Sequence, residues 1–197
     1  QTPRGNLQLR QVELNQGNFQ AAVTANNLQL SQFPQVPKDF QGTFNGELQA
    51  RGNLANLTAQ NAQSPLNQIQ ANATGNLRIG AGTLQIEQLQ LNQGNFLDRV
   101  NTNNLQLATL PQVPKEFKGA FTGKLEAAGN LDSLTNLQPN QSPLSEIQAS
   151  AQGVLRIPND GTVQLRQATL NQGNWQVDLE ANRVQLASLP QVPPQFK

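Results

Sequence analysis

The sequence predicts an all-β protein, an elongated antiparallel sheet of long amphipathic strands folded into a U-shaped trough with an apolar groove. Three observations carry this. Phe40 to Leu54, FQGTFNGELQARGNL, places an apolar or small residue at every second position over fifteen residues, the mark of a strand with one apolar and one wet face. The stretch returns as FKGAFTGKLEAAGNL at Phe117 to Leu131, with glycines again on the apolar side. Finally, no segment has a helical period, and prolines and glycines punctuate the chain throughout.

The repeat is long and collinear. LNQGNF at Leu14–Phe19 recurs 77 residues on at Leu91–Phe96, and 79 further on as LNQGNW at Leu170–Trp175. PQVP recurs with the same offsets from Pro34, and SPL recurs from Ser64 at Ser142. Residues 1–197 therefore read as one continuous repetitive β body. It holds about 2.5 units of 77–79 residues, with unit boundaries near 14, 91 and 170, and reads as a piece of a longer protein.

Each unit divides into four strand segments. The first, Leu7 to Leu14, is apolar at Leu7 and Leu9, then at Val12 and Leu14. Its copies, at Leu84, Ile86, Leu89, Leu91 and at Val163, Leu165, Ala168, Leu170, slip phase at the same place. A recurrent slip of one residue predicts a β-bulge, since otherwise the following side chains would turn to the wrong face. Asn-Gln-Gly-Asn follows at Asn15, Asn92 and Asn171, a composition suited to a tight hairpin turn.

The second segment runs through Phe19, Ala21, Val23 and Ala25 before slipping to Leu28. Asp98 interrupts the apolar side of its middle copy. A lone buried carboxylate is costly, which predicts a position near a strand end or a partner such as Arg99, and no role as a site. The PQVP segments read as rigid extended connectors lying outside the ladder. The long third strand follows, its glycines read as places to bend or to leave room. The fourth, Ile69 to Ile79 with its copy Ile147 to Ile157, carries small residues mid-face and large ones at the ends.

The predicted groove lining follows from these phases. The second segments supply Phe19, Val23, Phe96, Val100, Trp175, Val177 and Leu179, and the long strands supply Phe44, Leu48, Leu54, Phe121, Leu125 and Leu131. From the fourth segments come Ile69, Leu77, Ile79, Ile147, Leu155 and Ile157, and from the first Leu84, Ile86, Val163 and Leu165. Thr122 and Gln49 stand on the polar side. About ten strands would extend roughly 48 Å across the sheet. Left open, the apolar floor would be on the order of 1,000 Å², more than soluble monomers usually expose.

Composition narrows the chemistry. Net charge is +1 and charged residues are 13%, so no electrostatic footprint for nucleic acid is present. Glutamine and asparagine, 55 of 197 residues, solubilise the surface instead. With no Cys and no His, the common metal ligands and nucleophile–base pairs are missing. The expectation is a protein that is not an enzyme and needs no cofactor or metal. The Asn-x-Ser/Thr sequons at Asn56, Asn72 and Asn140 are those expected by chance in so asparagine-rich a chain.

Amphipathic strands in repeated units, GxL and GNL punctuation and SPL-type breaks resemble the TamB family of translocation and assembly module proteins. More broadly they resemble the AsmA-like, repeating-β-groove proteins that bridge membranes. The amide-rich style is similar to the cyanobacterial and chloroplast-envelope branch. The resemblance implies a β-taco whose groove conducts phospholipid acyl chains between inner and outer membranes, supporting outer-membrane biogenesis or protein translocation. It implies a place in the periplasm or intermembrane envelope space, the chloroplast envelope in plant relatives. The implied partners are the inner membrane and an outer-membrane β-barrel assembly factor. No catalytic residue carries over, only inward positions such as Phe44, Leu48, Phe121 and Leu125. The chain reads as an interior segment, without the membrane anchor or partner-binding domain of such proteins, and its two unpaired sheet edges predict self-association through edges or grooves. The rival reading is a surface adhesin built as a parallel β-helix, or a purely structural scaffold; strand pairing separates the coil from the antiparallel sheet.

Overall fold

The computed structural model describes residues 5–32, 42–54, 68–110, 119–135, 142–158 and 161–184. These form one open sheet of ten strands in sequence order. The strands are β1 (Asn6–Asn15), β2 (Asn18–Gln29), β3 (Gly42–Asn53), β4 (Ile69–Ile79), β5 (Gly82–Asn92), β6 (Asn95–Gln106), β7 (Ala120–Asn130), β8 (Ile147–Ile157), β9 (Gly161–Asn171) and β10 (Asn174–Asn182). Every neighbouring pair is antiparallel. That pairing removes the parallel coil of the adhesin reading. The long third-segment strands are shorter than their alternation: twelve residues in β3 and eleven in β7. The PQVP segments, Phe40 and Phe117 lie outside the described residues.

Local chemistry sets the turns. Gln16, Gln93 and Gln172 have φ of 49°, 50° and 49°, each followed by a glycine with φ near 80°. Two successive positive φ values define the turn whose twist matches a hairpin, and Asn-Gln-Gly-Asn supplies the glycine it needs. The Asn18 and Asn53 side chains then bond at 2.8 Å, and Asn95 and Asn130 at 2.9 Å. Amides thus clamp the hairpin end of each complete unit.

The repeated phase slips are bulges. Pairing of β1 with β2 skips a residue between Leu9 and Gln11, that of β5 with β6 between Ile86 and Gln88, and that of β9 with β10 between Leu165 and Gln167. A second bulge lies in β2 and β6, where Asn27 and Asn104 take φ of 55° and 54°. Their backbone N–H groups donate to Asn45 Oδ1 at 2.7 Å and to Thr122 Oγ1 at 2.9 Å. Each extra residue is thereby absorbed without reversing the faces.

Successive units are also staggered. The row starting at Phe44 runs through Leu77, Leu84 and Thr102 to Gly123. Gly123 is the repeat equivalent of Gly46, not of Phe44, so the register advances by two residues, about 7 Å, per unit. An even offset keeps the apolar side continuous, whereas an odd one would flip it.

Among the described residues helix is confined to short pieces. Asn130 Oδ1 accepts from the N–H groups of Asp132 and Ser133 at 2.9 and 3.2 Å. This cap starts a single turn, α1 (Leu131–Thr135). Ser142 caps the 3-10 turn Pro143–Glu146 that feeds β8, which is what the SPL break encodes there.

Candidate ligand-binding face

Cross-strand pairing collects the predicted residues into rows on one face. Leu9, Val23, Leu48, Ala73, Leu89, Asp98, Ala127, Ala149, Leu170 and Trp175 form one row across all ten strands. Beside it run Leu7, Ala25, Gly46, Gly75, Ile86, Val100, Leu125, Ala151, Ala168 and Val177. A third row holds Leu28, Phe44, Leu77, Leu84, Thr102, Gly123, Gly153, Leu165 and Leu179. Leu105, Phe121, Leu155 and Val163 continue beyond it. Ile79 stands opposite Gly42 and Gly82, and Ile157 opposite Gly161. At the opposite end Phe19, Gly52 and Ile69 line up, as do Phe96, Gly129 and Ile147.

Two of the predicted lining residues fall off this lattice. Leu54 and Leu131 lie just past β3 and β7, where their N–H groups donate to the carbonyls of Gly17 and Gly94 at 2.8 Å. The backbone there serves to close the hairpin end.

The mid-face glycines do not leave room, contrary to expectation. A Cβ built on Gly46 would stand 2.6 Å from the Phe44 ring, and one on Gly123 2.9 Å from that of Phe121. Gly52 and Gly129 meet the rings of Phe19 and Phe96 in the same way, at 2.9 and 2.8 Å. Each ring lies along its strand or across to its neighbour and fills the gap, an aromatic cover for glycine in a sheet. Phe44 and Phe121 are accordingly buried, and Ile79 and Val100 are buried as well. The end strands differ: Leu9 and Trp175 remain 67% and 64% exposed, and Leu7, Val12, Leu14, Val177 and Leu179 are also exposed.

Over β5 to β10 the face carries an open hollow of about 320 Å³. Large side chains at Leu84, Val100, Leu125, Leu170 and Trp175 wall it, while Ala127, Ala149, Ala151 and Ala168 leave its space. Asp98 also lines it, although the sequence pointed away from any such role. It is the fourth residue of β6, opposite Leu89 and Ala127. Arg99 projects to the other face, 3.6 Å from Glu126. Asp98 Oδ1 is buried without a hydrogen-bond partner among the described residues, and burial pushes the carboxyl pKa up from its ordinary value. Thr102, the other polar residue on this side of β6, is satisfied: its hydroxyl accepts from Gly123 N at 3.0 Å and donates to Gly123 O at 3.1 Å.

No protein-family profile, curated protein or solved structure matches this chain.

Proposed function

We propose that this chain is a segment of a TamB-like, envelope-spanning bridge, and that its sheet folds into a β-taco whose apolar side conducts phospholipid acyl chains. The observation that carries the reading is the run of apolar rows across the sheet, interrupted only in β6 by Asp98 and Thr102, on a face with no covering layer among the described residues. Soluble proteins rarely leave such a face uncovered. The hollow adds support for curling. Leu84 of β5 and Trp175 of β10 stand five strand spacings apart, about 24 Å were the sheet flat, yet both line the same hollow. The two-residue stagger lets the rows continue from unit to unit, as a conduit requires.

In the intact protein the bridge would join the inner membrane to an outer-membrane β-barrel assembly factor, in the periplasm or the corresponding chloroplast envelope space. It would serve outer-membrane biogenesis or protein translocation without catalysis. A structural scaffold is the second reading, favoured by the Phe44 and Phe121 rings, which fill part of the floor themselves.

A charge in the floor separates the two. Leu125 is half-buried and lines the hollow, so Leu125→Arg would place an ion in an apolar channel at a cost of several kcal/mol unless it reached water. Gln49, exposed on the polar face, provides the control as Gln49→Arg. Thr122 does not serve, because its hydroxyl holds the Asn104 bulge. In the full-length parent, folded Leu125→Arg stops lipid movement while Gln49→Arg does not. Equal movement in both would leave only the scaffold.

A further inference from the structure

Repeats allow each position to be compared with its own copies, and three departures meet in one place. Where the first and third units have Ala21 and Val177, the second has Asp98. Where the first two have Val12 and Leu89, the third has Ala168; where they have Phe19 and Phe96, it has Trp175. Asp98, Ala168 and Trp175 all line the same hollow. One substitution opens space, one enlarges a wall, and one brings the only ionisable side chain found in the apolar rows among the described residues.

We infer that this hollow is a specific site for an amphiphile with a primary ammonium head, its tail on the alanine floor and its head on Asp98. The inference rests on the apolar side being a ligand-binding surface and adds a selectivity to it. Asp98 Oδ1 lacks a donor among the described residues, and an ammonium supplies both the donor and the opposite charge. The tail is received by Leu84, Val100, Leu125, Leu170 and the alanines, in a lining that also includes Glu126, Ser150 and Thr169, and Trp175 presents an aromatic surface suited to tail or cation.

Trp175 is the only tryptophan, so its fluorescence reports on the hollow directly. Dodecylamine and dodecanol, which share a tail, are titrated below their aggregation limits into the wild type, Asp98→Ala and Asp98→Asn. Alanine is the first unit's own residue at this position, and dodecanol binding checks that each variant keeps its hollow. The wild type is expected to bind the amine about tenfold more tightly than the alcohol, the worth of one charge-assisted hydrogen bond. Both variants lose that preference and keep the alcohol. Equal binding of the two probes to the wild type overturns the amine site but leaves an apolar ligand surface. A preference that persists in Asp98→Ala overturns the role of Asp98. Failure of both probes to bind the wild type overturns the site and the apolar-surface reading together.

Discussion

Adding one methyl group at Gly123 tests how this sheet is packed. Its Cβ would stand 2.6 Å from Gly153 Cα and 2.9 Å from the Phe121 ring, and would also strike the Gln152 carbonyl oxygen. The ring can rotate away, but the paired backbone cannot. Gly123→Ala is therefore expected to lie in the upper part of the 1–3 kcal/mol range, roughly 2–3 kcal/mol, for overpacking. Gly173→Ala is the matched control. That glycine has φ of 79° and nothing lies within 4 Å of where its new methyl carbon would sit, so only backbone strain remains, about 1 kcal/mol. A cycle with Phe121→Leu isolates the ring: the double variant should be less destabilised than the sum by roughly 0.5–1 kcal/mol. Urea denaturation supplies the free energies, provided the slope is unchanged. If Gly123→Ala costs no more than Gly173→Ala, the close Gly123–Gly153 pairing and its aromatic cover are wrong.

The Asp98 carboxyl has its pKa raised by burial from an ordinary 3.8, so it costs the fold stability when ionised. That cost is absent below the unfolded value and grows as pH rises toward the folded one. Asp98→Ala should thus gain stability at neutral pH, on the order of 1 kcal/mol because the residue is only partly buried, and the gain should shrink as pH falls through 3.8; a pH-independent difference in thermal unfolding contradicts this. At the open edges, Val12 in β1 and Val177 in β10 are 63% and 50% exposed. Sedimentation should find concentration-dependent association of the wild type, abolished by Val12→Lys with Val177→Lys, and a wild type that stays monomeric throughout argues against edge pairing.

Much of the fold was legible because repetition turned weak local signals into strong ones. A single slip between Leu9 and Val12 is ambiguous, but the same slip before Leu89 and Ala168 marks bulges, and the pairing breaks there. Asn-Gln-Gly-Asn marked the hairpins for the same reason. The role of the glycines was not legible, since alternation tells which face a residue occupies but not which ring folds over it. Gly46 read as empty space until Phe44, two residues away on the same strand, was placed above it. Leu54 and Leu131 continued the alternation in phase, yet Asn130 capped a helical turn there and took Leu131 out of the sheet. Asp98 was read within its own strand, where Arg99 is adjacent but faces the other way. Setting Asp98 beside Ala21 and Val177 would have exposed it as a departure from the repeat.

Acyl-chain binding is tested most directly by native mass spectrometry of protein purified without detergent. The wild type and Gln49→Arg should carry adducts with phospholipid masses, and Leu125→Arg, with its charge in the hollow wall, should have lost most of them. A folded wild type that emerges free of lipid, or a Leu125→Arg protein carrying as much as Gln49→Arg, would contradict an acyl-chain conduit.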